Sequence, residues 1–345
     1  MMSVFSSIII KIKPYVKNLI YAGRFTYLPW KRNVLLIGTP EYNNVGDSIL
    51  TIATLKLLSD NLDSANVIEI TRYDYYRYKS MIKRCLRKHD VVTFQPGGNM
   101  GNVWLNEENW RRDVIASFSD NRVVLLPQTI YYEDTIEGQA SLRESQKLYS
   151  SNRNLVITAR EKTSYELMRK YYPNNKVILT PDMALYLDKH ESKNVRSGVL
   201  LCLRNDSERM RTKSDDEKII QALGDREYKY MDMYSKENPT PETRKRICNE
   251  KIDEFTKAEV VITDRLHGMI CCALTETPCV VLSNNHHKVK GVYEWLKELS
   301  YIKYVESVDE ISNAINKVMS EENRIFDNKK LMPYFEQITA SINGE

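Results

Sequence analysis

The stretch Val260-Val261-Ile262-Thr263-Asp264-Arg265-Leu266-His267-Gly268-Met269-Ile270 joins two structural patterns without a linker. Its β-branched start predicts a buried strand, and the apolar residues after Gly268 begin a helical repeat. Arg265 and His267 therefore stand where a strand gives way to a helix, and the unpaired N–H groups of a helix start attract anions. This position suits a phosphorylated or carboxylated ligand. A plainer interpretation is a capped helix with Asp264 paired to Arg265 on the surface.

Strands followed by helices recur along most of the chain. From Asn33 onward, short apolar strands alternate with amphipathic helices, and such a series predicts parallel sheets covered on both faces. The charged segment Lys189 to Ser197 divides the series in two. We therefore predict an α/β fold with two doubly wound, Rossmann-like domains that face a cleft. The predicted parts are a basic apolar segment (1–32), a first domain (33–190), a second domain (191–325) and a terminal helix that could cross back to the first domain (326–345).

Composition narrows the classes of function. The chain has 345 residues, and its 50 Lys and Arg against 46 Asp and Glu give a net charge of only +4. No concentrated basic surface is indicated, so we expect no nucleic-acid partner. The six cysteines form no CxxC pair, which argues against a zinc site or a disulfide framework and favours a reducing, cytoplasmic compartment. We expect no metal.

The first residues form a separate question. Met1 to Tyr21 mixes apolar residues with Lys11, Lys13 and Lys17, but its apolar run is too short to span a bilayer and no cleavage site follows. The segment could lie on a membrane surface or pack on the first domain. Pro14 interrupts its pattern and so weakens both interpretations. We favour contact with an anionic membrane surface, at the inner face of the cell membrane, over an extension that packs on the first domain.

Ligands of doubly wound domains bind at the carboxyl ends of the strands, so polar loops after strands are the places to search. Asn44 and Asp47 flank Gly46 in the first such loop, where Asp47 also fits a plain helix N-cap. Gly97 and Gly98 would let the backbone approach a ligand closely, although the spacing matches neither a dinucleotide fingerprint nor a Walker A loop.

Cations follow several strands. Arg160 and Arg204 come directly after strands, and for each a surface ion pair is the plainer interpretation. Lys288 and Lys290 lie in the loop after the strand Val280 to Leu282. The tandem His286 and His287 lack spaced metal-ligating partners. A cluster of Arg160, Arg265, His267 and Lys288 would hold a multiply charged anion.

Six motifs occur in an order that resembles the polysaccharide pyruvyl transferase family. They are Asn44-Val45-Gly46-Asp47, Gly97-Gly98-Asn99-Met100-Gly101, Pro127-Gln128-Thr129, Thr158-Ala159-Arg160-Glu161-Lys162-Thr163-Ser164, Pro181-Asp182-Met183-Ala184 and Arg265-Leu266-His267-Gly268. The resemblance implies a fold like that of GT-B glycosyltransferases. It also implies transfer of pyruvate from phosphoenolpyruvate to two hydroxyls of one sugar in a surface polysaccharide precursor, making a cyclic ketal.

The resemblance also assigns residues. It implies Arg160, Arg265 and His267 as catalytic, and these three with Lys288 as the phosphoenolpyruvate site, mainly on the second domain. Lys290 is the other candidate for the lysine. Acceptor or loop positions are Asn44, Asp47, Gly97, Gly98, Asn99, Gln128 and Arg204. The family often has three consecutive glycines where this chain has Gly97 and Gly98 alone.

The chemistry leaves roles open. His267 could be an acid near neutral pH or a phosphate ligand, and Asp47, Asp182 and Asp264 are candidates to deprotonate the acceptor. We expect no cofactor beyond the donor substrate, and a lipid-linked glycan or a sugar nucleotide as acceptor, with the lipid-linked form favoured. The competing functions are a GT-B-type glycosyltransferase that uses a sugar nucleotide and a non-catalytic glycan-binding protein on the same scaffold.

Overall fold

The computed structural model describes residues 25–206, 209–283 and 287–345, and they form two parallel sheets with helices on both faces. In the first sheet the strand order is β2-β1-β3-β5-β6-β7, with β4 paired beside β5. Its strands are β1 (Arg32–Thr39), β2 (Ala65–Thr71), β3 (Val91–Phe94), β4 (Gly97–Gly101), β5 (Arg122–Tyr131), β6 (Leu155–Ala159) and β7 (Lys176–Leu179). The helices between them are α1 (Val45–Asn61), α2 (Arg72–Cys85), α3 (Leu105–Ser117), α4 (Ile136–Ser151) and α5 (Lys162–Tyr171), followed by a 3₁₀ turn (Met183–Tyr186).

The second sheet has the order β12-β11-β10-β8-β9, and its pairs are parallel. Its strands are β8 (Val199–Cys202), β9 (Tyr228–Met231), β10 (Val260–Thr263), β11 (Cys279–Leu282) and β12 (Ile302–Val305). The helices are α6 (Lys213–Leu223), α7 (Arg244–Thr256), α8 (Leu266–Leu274), α9 (His287–Tyr293), α10 (Ile311–Met319) and α11 (Met332–Asn343), with short 3₁₀ turns at Val308–Glu310 and Lys329–Leu331. The predicted α/β class with two doubly wound sheets is confirmed.

Two local predictions were wrong. The glycine-rich segment from Gly97 to Gly101 is a strand rather than a loop, because it pairs with β5 beyond the point where β3 ends. At Gly101 φ is +122°, and an added Cβ would lie 1.8 Å from the Tyr131 carbonyl oxygen, so this pairing requires glycine. The sequence pattern also predicts a helix from Tyr76 to Lys88, but α2 begins at Arg72. The Thr71 side chain accepts a hydrogen bond from the Asp74 N–H and caps the helix at this earlier point.

The two sheets share one hydrophobic core. Buried side chains of α1, the 3₁₀ turn, α7 and α8 form a single cluster that continues from the first sheet into the second. Arg244 of α7 is buried against the first domain, where it pairs with Glu69 at 2.7 Å and contacts the Pro40 carbonyl. Helix α11 packs on the first domain, and Arg122 donates to the Ser341 carbonyl. The two domains are thus joined by a shared hydrophobic cluster and by these polar contacts.

The predicted membrane-surface segment, Met1 to Tyr21, lies outside the described residues. Shortly after it, Phe25 is buried in a second hydrophobic cluster, which belongs to the first domain alone. The Tyr27 hydroxyl donates to Asp90 at 3.0 Å. Among the residues the structure describes, none of the helices is both long and apolar enough to cross a bilayer. All six cysteines are free thiols.

Candidate active site

A cleft of about 350 Å³ opens between the two sheets, where the carboxyl ends of their strands face each other. The sequence singled out eleven positions, and nine of them line this cleft although they come from both domains and from six separate segments of the chain. The nine are Asn44, Asp47, Gly98, Asn99, Arg160, Arg204, Arg265, His267 and Lys288. Gly97 and Gln128 are the other two.

Arg160 enters the cleft from the end of β6 and is only 3% exposed. Its Nη1 donates to Asp182 Oδ2 at 2.8 Å and its Nε donates to Thr129 Oγ1 at 2.8 Å. The ion pair is therefore buried, not a surface pair, and it fixes the direction of the guanidinium. Gly98 is adjacent, since a Cβ there would lie 2.3 Å from Arg160 Nη2. A side chain at Gly98 would displace the arginine.

Arg265 and Asp264 do not pair with each other, so the plainer interpretation of this stretch was wrong. Arg265 donates to Asp206 Oδ2 at 2.8 Å and to Asp232 Oδ2 at 2.7 Å, and its guanidinium lies 5.3 Å from the Tyr234 ring centroid. Asp264 turns away to accept from the Arg204 backbone N–H at 2.8 Å and to pair with Arg211. Two carboxylates orient Arg265 at the cleft wall.

His267 lies in the first turn of α8, directly against the first domain. A Cβ on Gly46 would lie 2.2 Å from His267 Nδ1, so only glycine permits this approach. Nε2 is buried, lies 3.9 Å from Asp182 Oδ2 and has no hydrogen-bond partner among the described residues. Burial lowers the pKa of His267 to about 4, with Arg160 and Lys288 acting in the same direction and Asp182 opposing them. Of the two roles left open for His267, this low pKa favours a phosphate ligand over an acid near neutral pH.

Lys288, rather than Lys290, faces the cleft from α9. Burial, together with the nearby Arg204 and Arg160, lowers the pKa of Lys288 to about 7. Lys290 lies outside the cleft, where its Nζ contacts Glu306 at 2.6 Å in an exposed pair. The lysine favoured from the sequence is the one that lines the site.

Of the three candidate carboxylates, Asp47 is the one on the cleft surface. Asp182 is fully buried in its pair with Arg160, and Asp264 is held by Arg211. Asp47 Oδ2 accepts from the Tyr42 hydroxyl at 2.9 Å, and burial raises the pKa of Asp47. Asp47 does not cap its helix: the N-cap is Asn44, which accepts from the Gly46 N–H at 3.0 Å.

Gln128 and Gly97 are not among the residues that line the cleft. Gln128 is fully buried, and its Nε2 donates to the Gln95 carbonyl at 2.8 Å and to the Leu126 carbonyl at 2.9 Å. Its amide is therefore occupied in holding the strand ends together. Gly97 pairs with Gln128 in the β4–β5 ladder.

Sequence reasoning missed several lining residues. Asp206 follows the strand β8 by four positions, so the same search of strand-end loops that found Arg204 would have found it. Tyr42, Trp104, Glu107 and Tyr234 carry no pattern that marks them as ligand-binding. In the ranges 25–206, 209–283 and 287–345, no three His, Cys, Asp or Glu side chains are grouped so as to hold a metal ion.

Comparison with known proteins identifies the family and the fold. A family model described as polysaccharide pyruvyl transferase matches residues 44–286. General stress protein 30 of Bacillus subtilis is 35% identical over 312 residues, which cover 87% of this chain and 89% of that one. Pyruvyl transferase 1 of Schizosaccharomyces pombe is 27% identical and covers 88% and 78% of the two chains. The UDP-GlcNAc 2-epimerase structure from Methanocaldococcus jannaschii covers 91% of this chain and all of its own, with a TM-score of 0.53 at 12% identity, and this likeness shows the GT-B-like fold alone.

Proposed function

Because the chain belongs to the polysaccharide pyruvyl transferase family, we propose that it transfers pyruvate from phosphoenolpyruvate to two hydroxyls of one sugar. The product is a cyclic ketal on a sugar of a surface polysaccharide precursor, and inorganic phosphate is released. The observation that carries the proposal is the convergence of nine predicted residues from two domains on one cleft. No comparable convergence is expected of residues that only cap helices or pair on the surface.

The charges of the cleft suit a small anion with two acidic groups. Arg160, Arg204, Arg265 and Lys288 line it, against the carboxylates Asp47, Glu107 and Asp206. Arg160 and Arg265 are held by carboxylates behind or beside them, so their positive charges are fixed in place to stabilise a carboxylate or a phosphate. His267 Nε2 is a hydrogen-bonding atom that a phosphate oxygen would satisfy.

The reaction balances with two proton transfers. One sugar hydroxyl attacks the central carbon of phosphoenolpyruvate as the methylene carbon takes a proton and becomes a methyl group. The second hydroxyl then closes the ring as the C–O bond to phosphate breaks, and its proton leaves with the phosphate. Lys288 is the proposed proton donor to the methylene carbon, because the carboxylate and phosphate of the bound donor would hold it in its ammonium form. Asp47, with its raised pKa, is matched to receiving a hydroxyl proton, and His267 acts as the phosphate ligand.

We propose further that the acceptor is lipid-linked and that the enzyme works at the inner membrane surface. The support is the sequence of residues 1–21, which combines apolar side chains with three lysines. Deleting residues 1–21 should reduce co-sedimentation with anionic vesicles while leaving turnover of a soluble acceptor unchanged. Equal sedimentation of the full and shortened chains would contradict this part of the proposal.

The central test is a transfer assay with the purified full chain. Phosphoenolpyruvate and a panel of glycan acceptors are incubated with it, and phosphate release is followed together with the mass gain of one pyruvate ketal. Arg160→Lys and His267→Ala should lower kcat/KM by about 10–150-fold, since each removes a contact to a charged group worth roughly 1.5–3 kcal/mol. Lys290→Ala, outside the cleft, is the matched control and should retain full activity.

The outcomes separate the candidate functions. Phosphate release coupled to ketal formation supports the proposal. Release of a nucleoside diphosphate from a UDP-sugar instead would establish glycosyl transfer. Saccharide binding with neither reaction would leave a glycan-binding protein. Full activity in both cleft variants, with their thermal stability unchanged, would refute the assignment of the site.

A further inference from the structure

A second cavity of about 670 Å³ opens beside the cleft, within the first domain. It lies at the carboxyl ends of β1 and β3 and against α2 and α3, and we call it the aromatic pocket. Four residues belong to both spaces: Tyr42, Asp47, Asn99 and Glu107. A ligand in the aromatic pocket would therefore reach Asp47 from the side opposite the cations of the cleft.

The walls of this pocket combine apolar ring faces with polar edges. Tyr73 and Tyr76 line it and are 59% and 54% exposed, so their rings have faces available to a ligand. Trp110 forms the inner wall with Phe94, their ring centroids being 5.0 Å apart. Aromatic faces of this kind pack against the C–H faces of sugar rings, because both surfaces are apolar and flat.

Three polar atoms of the inner wall have no hydrogen-bond partner among the described residues. They are Thr39 Oγ1, Gln95 Oε1 and Trp110 Nε1, and their residues are 0%, 8% and 4% exposed. Buried polar groups in native proteins are nearly always satisfied, so three orphans around one cavity need an explanation. One of them only accepts, one only donates and one does both. A ligand with several hydroxyl groups offers a partner to each.

The charged residues of the pocket are already engaged with one another. The Arg72 guanidinium pairs with Glu107 and lies 4.9 Å from the Trp110 ring centroid. Arg77 Nη1 donates to the Tyr73 hydroxyl at 2.6 Å. The pocket is lined by three carboxylates, Glu41, Asp47 and Glu107, against these two arginines. Because it has no excess of positive charge, it suits a neutral ligand better than a phosphate or a nucleoside diphosphate.

We propose that the aromatic pocket binds the acceptor as a neutral hexopyranose unit, with its ring against Tyr73 and Tyr76 and its hydroxyls on Thr39, Gln95 and Trp110. The hydroxyl pair to be modified points to Asp47, where the pocket opens into the cleft. The identity of this ligand as the acceptor rests on the proposed function, but its chemistry as a saccharide does not.

The experiment measures binding and turnover separately. Saturation-transfer NMR on the full chain, with methyl hexopyranosides of glucose, galactose and mannose as probes and no phosphoenolpyruvate, reports binding. Tyr76→Ala should weaken binding of the preferred probe by tenfold or more, whereas Tyr228→Ala, an exposed tyrosine of β9 outside the pocket, should not. In the transfer assay Tyr76→Ala should raise the acceptor KM tenfold or more and leave the KM for phosphoenolpyruvate unchanged.

Thr39→Val supplies a readout that a merely structural role would not give. Its hydroxyl has no hydrogen-bond partner within residues 25–206, 209–283 and 287–345, so its loss should not lower the melting temperature, while the acceptor KM should rise at least fivefold. Probe binding that depends on Tyr76 without any turnover would refute the proposed function and support the pocket. Turnover with unchanged acceptor KM in both variants would overturn the pocket, as would displacement of the bound probe by UDP.

Discussion

Binding of phosphoenolpyruvate should draw a proton from solution through Lys288. The pKa of this lysine is about 7, against a usual value of 10.5, because burial and the nearby Arg204 and Arg160 disfavour the ammonium form. A carboxylate and a phosphate placed beside it would favour the charged form again. The free protein holds Lys288 mostly neutral at pH 8, so a protein–donor complex must take up the missing proton.

The number of protons taken up follows from the lowered pKa of Lys288. A displacement from 10.5 to about 7 corresponds to about 5 kcal/mol of unfavourable charging in the empty cleft. At pH 8 a lysine with this pKa is about one-tenth protonated, so binding should take up about 0.9 proton if the complex restores its usual pKa. At pH 6 the uptake should fall to about 0.1. The sign is fixed: affinity for the donor should decline as pH rises above 7.

The assay is isothermal titration calorimetry with phosphoenolpyruvate in pairs of buffers that differ in ionisation enthalpy. The difference in apparent binding enthalpy between buffers gives the number of protons taken up. Lys288→Arg should bind with no uptake at pH 8, because a guanidinium stays charged. Lys290→Arg is the matched control and should behave like the unmodified chain, since Lys290 lies in an exposed pair outside the cleft. If the unmodified chain takes up no proton at pH 8, the reasoning is refuted. It is also refuted if Lys288→Arg still takes up a proton at that pH.

Three further predictions follow from buried contacts. Gly98→Ala should lower kcat/KM at least tenfold, because its Cβ would lie 2.3 Å from Arg160 Nη2, whereas Gly97→Ala, whose nearest neighbour is 3.8 Å away, should retain activity; equal activities in a transfer assay would contradict this. Glu108→Gln should cost about 3–5 kcal/mol of unfolding free energy, since it leaves a buried guanidinium without its partner, and urea denaturation showing less than 1 kcal/mol would count against it. Asp47→Asn should lower kcat by about 10²–10⁴-fold, as expected for loss of a general base, and leave the KM for phosphoenolpyruvate nearly unchanged. Steady-state kinetics that show a raised KM with an unchanged kcat would instead assign Asp47 to donor binding.

Much of the fold was predictable because buried parallel strands have a simple signature. Runs such as Val260 to Thr263 and Val280 to Leu282 are apolar throughout, and parallel sheets with helices on both faces require this. The strand Gly97–Gly101 was not predictable in the same way. It has little side-chain surface, and only its position beside β5 makes it a strand.

The positions of the site residues followed from one rule, that ligands bind where strands end, and the rule brought Arg160 and His267 together across 107 residues of chain. Their partners were not readable. Asp264 is adjacent to Arg265 in sequence yet pairs with Arg211, since a strand end directs successive side chains to opposite sides. Gln128 occurs in a motif of the resemblance, but its amide turns inward to the strand ends.

The aromatic pocket shows a further limit. Its inner wall is marked by buried polar atoms that have no hydrogen-bond partner among the described residues. Whether a polar atom has such a partner cannot be read from the sequence. The segment Arg72 to Tyr78 does contain two arginines and four tyrosines. That composition alone equally describes the solvent-facing side of a helix.

The continuous core beneath the cleft has a consequence for how the molecule comes apart. Asn44 pairs with Tyr234, the Val45 N–H donates to the Met233 carbonyl at 2.8 Å, and the apolar cluster below them runs through both sheets. Neither sheet can lose its packing without exposing part of the other. Heating should therefore give a single calorimetric transition for both lobes, and a donor bound between them should raise that one transition as a whole.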